Sequence, residues 1–243
     1  MQRPILKDNR NKGPYELYPL GQVPDDIITN IAKWMSYYFA TGRSDISGTD
    51  WEDIFADSIG GVHLGKPVGL ADIVYEGMAW SAKTVKDNNP WKKKTVRLIS
   101  GRNSPDYSFK VHNPHANVQE TGNMVLSIWN ERVNIAREHY EPLRTCVLIR
   151  NMMSMQFTFF ETEIVRYDIS DFEWRENKNE NLIGYHKATG KHCFTWQSSG
   201  SHFTIICDVP SSAKRFQVKR PAMLDFNEIM ARIGFEKDWV MIQ

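Results

Sequence analysis

The sequence predicts a mixed α/β (α+β) fold, on three observations. Apolar residues recur at helical spacing through DDIITNIAKWMSYYFATG and again through NMVLSIWNERVNIAREHY. Between these helices, GLADIVYEGMAWSAKTVK reads as two short strands about a Gly-containing turn. After the second, TCVLIRN is a continuous apolar run, as expected of a strand covered on both faces. Helix, hairpin, helix and buried strand in alternation define one mixed core.

The bulk composition excludes several alternatives. With 41% hydrophobic and 24% charged residues over 243 positions, the chain resembles neither a disordered nor a membrane protein, and it is long enough for a sizeable core. No run approaches the roughly 18 apolar residues of a membrane span, and the lead MQRPILKDNRNKG carries no apolar signal core. Three cysteines at irregular spacing (Cys146, Cys193, Cys207) set no disulfide framework, so a reducing, cytoplasmic setting is expected. A formal charge of +1 says that any electrostatic signal must be local.

In chain order, a lead over 1–48 contains the first helix, with Ile27, Ile28, Ile31, Trp34, Met35 and Tyr38 at helical spacing and Gly42 placed to end it. The main core is expected at about 49–167, with the helix–hairpin–helix–strand alternation inside it. It opens with a short helix, TDWEDIFADSIGG, stopped by Gly60 and Gly61. The hairpin follows, then a basic segment over 88–117 read as irregular, the long helix, TCVLIRN, and a further strand in FTFFETEIVRY. About 168–220 is aromatic, polar and turn-rich (NKNEN, KATGK, SSGSH), predicting an antiparallel excursion. Within 221–243, LDFNEIMARIGF predicts a short helix with an Asp225–x–x–Glu228 start.

In the hairpin, a turn at Gly77–Met78 places Tyr75 opposite Trp80, Val74 opposite Ser81 and Asp72 opposite Lys83. Alternation then sets Asp72, Ser81 and Lys83 on one face and Trp80 on the other, in the core. Asp72 and Lys83 read either as a cross-strand ion pair or as a carboxylate metal ligand with an ammonium beside the attacking water. In the preceding helix Glu52 lies on the stripe of Phe55, Ala56 and Ile59, whereas Asp53 and Asp57 point elsewhere. A carboxylate on an apolar stripe needs a cation; alternatively Thr49–x–x–Glu52 is a capping box.

These residues resemble the PD-(D/E)XK nuclease superfamily, whose pattern is a helical Glu, then G-x-x-D, then [D/E]-x-K across a hairpin. Glu52, Gly69–Leu70–Ala71–Asp72 and Ser81–Ala82–Lys83 occupy those places, and the segment with VRLISGRNSPDYSF is most similar to type II restriction endonucleases. The resemblance implies a mixed β-sheet core flanked by helices, with the β-rich C-terminal excursion as a recognition region. It also implies Mg²⁺-dependent, site-specific cleavage of double-stranded DNA, leaving 5′-phosphate and 3′-hydroxyl ends, by a homodimer. Asp72 and Glu52 would be the metal ligands and Lys83 would orient or deprotonate the water. One position departs from the pattern. Ser81 stands where the family has an acid, and at most hydrogen-bonds a metal-bound water; Glu52 is the leading substitute and Glu131 the second. Two alternatives follow: a repair or junction-resolving nuclease of the same superfamily, or a non-catalytic DNA-binding protein on a decayed nuclease core.

Lys86, Lys92, Lys93, Lys94, Arg97 and Arg102 against the single acid Asp87 read as a phosphate track next to the hairpin, or as a solvated face. Arg102 and Asn103 in SGRNS are of the residue types that read base edges. Arg175, Lys187, Lys191 and His202 in the later excursion are weaker recognition candidates. No P-loop or dinucleotide fingerprint is present, so no nucleotide cofactor is expected. The possible zinc set His192, Cys193, His202 and Cys207 lacks a C-x-x-C anchor and is read as strand residues.

Overall fold

The computed structural model describes residues 16–68 and 70–242, so the lead Met1–Gly13 and Gly69 lie outside the described residues. The described chain is a mixed α+β fold of two sheets and five α-helices. Among the described residues no helix is long and apolar enough to cross a membrane.

Two helices open the fold, α1 (Asp25–Ala40) and α2 (Gly48–Ile59). The apolar spacing of α1 buries Ile27, Ile31, Met35 and Phe39. Its C-cap is Thr41, with Gly42 following at φ 94°. Three strands follow: β1 (Val62–Val68), β2 (Ala71–Tyr75) and β3 (Met78–Lys86), each antiparallel to the one before. The expected irregular stretch instead contains strand β4 (Thr95–Arg102) and a one-turn helix, α3 (Pro105–Phe109). The alternation that marks β4 was present, since Val96, Leu98 and Ser100 are buried while Arg97 and Ile99 are exposed. The adjoining lysines obscured it.

Helix α4 (Val118–Arg137) then crosses over to β5 (Leu143–Asn151), which runs parallel to β3. This is the both-faces-covered strand expected from TCVLIRN, with Cys146, Val147, Leu148 and Ile149 fully buried. Strand β6 (Gln156–Glu163) and a late strand, β11 (Lys214–Gln217), complete a six-stranded sheet of order β1-β2-β3-β5-β6-β11. The excursion forms β7 (Phe172–Glu176), β8 (Asn181–His186), β9 (His192–Gln197) and β10 (His202–Asp208). All four are antiparallel, and β10 recruits β4 into a second, five-stranded sheet. Helix α5 (Phe226–Ile233) begins at Asp225, whose carboxylate caps Asn227 and Glu228, as the Asp–x–x–Glu start predicted.

The first sheet is buried on both faces. On one, α1 and α2 cover it through Trp51, Phe55, Trp80 and Phe159, with Phe55 5.6 Å from the rings of both Trp80 and Phe159. Each such side chain contributes about 1.5–3 kcal/mol on burial. Trp80 is therefore core, as read from the hairpin alternation. On the other face, α4 and the second sheet pack through Val125, Trp129, Val133, Phe194 and Phe203. The charged network Arg144–Glu161 is sealed within the first face. Glu161 accepts from Trp80 Nε1 at 2.5 Å, Tyr18 Oη at 2.9 Å and Arg144 Nη1 at 3.2 Å, while Arg144 also pairs with Glu16. Burial pushes the Glu161 carboxyl up, and these donors act against it by favouring the ionised form.

Candidate functional site

The site begins with the cap of α2. Ser47 Oγ accepts from Asp50 N at 3.0 Å, and Asp50 Oδ2 accepts from Ser47 N at 2.8 Å. This capping box starts the helix two residues earlier than a Thr49–Glu52 box would, so the capping reading of Glu52 is overturned. Glu52 is freed from the backbone. Its Oε2 lies 3.0 Å from His63 Nε2 on β1, while His63 Nδ1 meets Asp53 Oδ1 at 2.7 Å. Asp53 therefore pairs with the same imidazole, and Asp57 is exposed.

The hairpin turn sits one residue earlier than Gly77–Met78, which moves the strand register by two. Glu76 (φ 43°) and Gly77 (φ 88°) occupy the turn, the sign pattern of type I′, and Tyr75 pairs with Met78. Ile73 faces Trp80, and the same register sets Asp72 opposite Ser81, with Lys83 on the diagonal. A shift of two preserves side-chain parity, so Asp72, Ser81 and Lys83 still share one face, opposite Trp80. A lysine bridges the diagonal easily. Asp72 Oδ2 accepts from Ser81 Oγ at 3.0 Å and from Ala82 N at 3.0 Å, and Lys83 Nζ stands 3.5 Å away. Among the described residues none donates to the other oxygen, Oδ1. Lys83 Nζ also donates to Ser81 Oγ at 2.8 Å and to Ala82 O at 2.9 Å. Ser81 is thus a relay between the two charged groups.

A cavity of about 280 Å³ opens over this face, lined by Asp72, Ser81 and Lys83 from the hairpin, Ser100 and Gly101 from β4, and Arg132 from α4. Glu52 does not line it, yet the fields of the three groups meet. Burial pushes the Glu52 carboxyl up, the Asp72 charge pushes it further, and His63 and Lys83 recover only part of the cost. Two mutually repelling carboxylates, one with an uncommitted oxygen, make a hard-oxygen donor pair of the kind a divalent cation relieves. Among the described residues no three His, Cys, Asp or Glu side chains converge as a metal site, the possible His192–Cys207 zinc set included.

The remaining sequence candidates disperse. Glu131 is exposed and holds Asn134 Nδ2 at 3.1 Å, so it does not replace the missing acid. Asn103 is fully buried, donating to Val125 O at 3.0 Å and accepting from Arg132 Nη1 at 3.1 Å, and it cannot read a base. Lys86 pairs with Asp45 at 2.7 Å and Lys93 with Asp87 at 2.6 Å. Lys92, Lys93 and Lys94 line a separate, open concavity with Trp91 and Arg215, at the far end of β4 from the cavity. That separation is on the order of 15 Å along the strand. The lysine run therefore does not adjoin the site, whereas Arg102 does in sequence and is exposed, as are Lys92, Lys94 and Arg97. Arg175 is bound to Glu173 and Lys191 to Asp208.

Two site residues escaped the sequence reading, His63 and Arg132. His63 sits on a strand that no alternation announced. Arg132 had a signal: it stands three residues after Trp129 and seven after Val125, on the buried stripe of α4. It is the same anomaly that singled out Glu52.

Compared with known proteins, the chain matches no family model, no curated protein and no solved structure.

The repulsion at Glu52 has a measurable consequence. A carboxyl whose folded pKa is raised favours folding when protonated, and that advantage is lost as pH rises through the folded value. Glutamine imitates the protonated form. Glu52→Gln is therefore expected to match wild type in thermal melts at about pH 4 and to exceed it near pH 7.5, by up to about 1 kcal/mol. A variant less stable than wild type near pH 7.5 would show that Glu52 is held by favourable pairing instead.

Proposed function

We propose that this protein is a Mg²⁺-dependent endonuclease of the type II restriction kind, acting on double-stranded DNA. One observation carries the reading: Asp72 and Lys83, on adjacent strands and the same face, stand 3.5 Å apart, and the Asp72 charge adds to burial in pushing up the carboxyl of the helical Glu52. The arrangement around them supports it. A three-stranded antiparallel meander, a helical crossover and a strand parallel to the third form a mixed sheet flanked by helices, in keeping with a restriction-endonuclease-like core.

Glu52 and Asp72 are the residues that would hold Mg²⁺. When bound, the ion supplies charge against the phosphate oxygens and acidifies a water. Water adds to phosphorus and the P–O3′ bond breaks, giving 5′-phosphate and 3′-hydroxyl ends; one water proton is released and the 3′-oxygen gains one. Lys83 contributes an ammonium that orients the water and steadies charge on the phosphate. Ser81 keeps Lys83 and Asp72 in register with each other. A twofold dimer, placing one site on each strand, belongs to this reading.

The rival of a non-catalytic DNA-binding protein draws on the same geometry, because Asp72 Oδ2 and Lys83 are satisfied internally. Digestion of a long, sequence-diverse duplex separates the two. Discrete fragments with Mg²⁺ and none with EDTA are expected. Binding without turnover, on methylated and unmodified DNA alike, would make the chain a decayed nuclease. Nicking that follows DNA structure instead of sequence would favour a junction or repair enzyme.

A further inference from the structure

Arg132 is a half-buried guanidinium committed on one side only. Its Nη1 donates to Ser100 O at 2.6 Å and to Asn103 Oδ1 at 3.1 Å. Among the described residues nothing accepts from Nη2 or Nε, and no carboxylate lies within ion-pair distance of the group. Burial without a partner lowers the Arg132 pKa, and the more distant charge of Asp72 offsets part of that effect. An unneutralised, partly desolvated cation is costly to keep unless an anion joins it.

The end of β4 beside it is shaped to leave it room. Gly101 has φ 102°, and a Cβ there would stand 2.7 Å from Arg132 Nη2. The fully buried Asn103 anchors the chain just beyond it to α4 through Val125 O. Fixed on its Nη1 edge, the guanidinium lines the cavity that Asp72, Ser81 and Lys83 share.

We infer that Arg132 and Lys83 form a phosphate-binding subsite in this cavity, with the free edge of Arg132 taking the non-bridging oxygens of a DNA phosphate. Two cations lining one cavity, one from the hairpin and one from α4, would share a single phosphate group. Arginine suits this place because its planar fork can hold the protein with one edge and a phosphate with the other. The inference rests on the nuclease reading for the identity of the ligand, and it names a contact that the helical Glu, G-x-x-D and [D/E]-x-K pattern does not contain.

Arg132→Gln keeps a donor for Ser100 O and removes the charge. DNA binding is measured in EDTA by fluorescence anisotropy across a salt series, and cleavage in Mg²⁺, with thermal melts confirming the fold. The expected result is affinity and cleavage about tenfold to a hundredfold weaker, with the log–log salt slope shallower by about one. If wild type binds DNA without cutting it and the slope still falls, the subsite stands and the nuclease reading fails. If wild type cuts DNA and a folded Arg132→Gln keeps the wild-type slope and rate, the subsite is wrong and the nuclease reading survives. No salt-dependent binding by wild type removes both. Should Arg132→Gln not fold, Arg132→Lys replaces it. Lysine cannot serve both edges, so an affinity and rate within threefold of wild type would overturn the inference.

Discussion

Lys83→Ala is expected to lower Mg²⁺-dependent DNA cleavage by about a thousandfold, a far larger loss than the roughly tenfold in DNA binding that one lost phosphate contact brings. The magnitude is that of a positioned proton-transfer or charge-stabilising group. The effect should fall mainly on turnover, because Lys83 orients the water and steadies charge that grows in the transition state, beyond its share in holding the phosphate. In the free protein Lys83 Nζ is shared among Ser81 Oγ, Ala82 O and Asp72, so it must exchange one of these acceptors for the phosphate or its water. Asp72→Asn is expected to be at least as damaging, since the carboxylate both faces Lys83 and would hold the metal. Ser81→Ala should be milder, because Asp72 keeps its bond from Ala82 N. Single-turnover rates on a substrate carrying the cleavage site measure all three. A Lys83→Ala rate within tenfold of wild type would remove Lys83 from the chemistry and return the Asp72–Lys83 pair to the status of an ion pair.

The second large effect concerns stability and is independent of activity. Glu161→Leu should destabilise the fold by about 3–5 kcal/mol, because Arg144 would be left buried without its sealed partner. Trp80 Nε1 and Tyr18 Oη would lose their acceptor as well. For a domain of this size the midpoint should drop by roughly 6–20 °C. Replacing Arg144 and Glu161 together by Met and Leu should recover much of the loss, since a buried pair is worth little against a packed apolar substitute. Calorimetry on the single and double variants measures the coupling. A single variant within 1 kcal/mol of wild type would mean that Glu16 or water neutralises Arg144 unaided.

The sequence alone determined whatever depends on local periodicity. Helical spacing located α1, α2 and α4, the Asp225–x–x–Glu228 start located α5, and the apolar run of TCVLIRN located the doubly covered β5. Strand alternation puts Asp72, Ser81 and Lys83 on one face and Trp80 on the other, whichever of the two turn positions the hairpin takes. The actual register differs by two, and only an odd shift reverses a face. The stripe position of Glu52 likewise marked a carboxylate that had to meet the core edge.

Tertiary structure decided what depends on partners distant in the chain. Whether Glu52 capped its own helix turned on Ser47 and Asp50 reaching the backbone first. Strand β4 exists because β10, about a hundred residues later, pairs with it; its own alternation was legible only once the lysines beside it were set apart. The same pairing swings Ser100 and Gly101 over the hairpin and carries the lysine run to the far end. Arg132 enters the site only because α4 packs between the two sheets. Local sequence fixes which side chains share a face, since backbone geometry repeats every two or 3.6 residues. Which faces meet is settled by long-range burial, and the cavity lies where the hairpin, β4 and α4 meet.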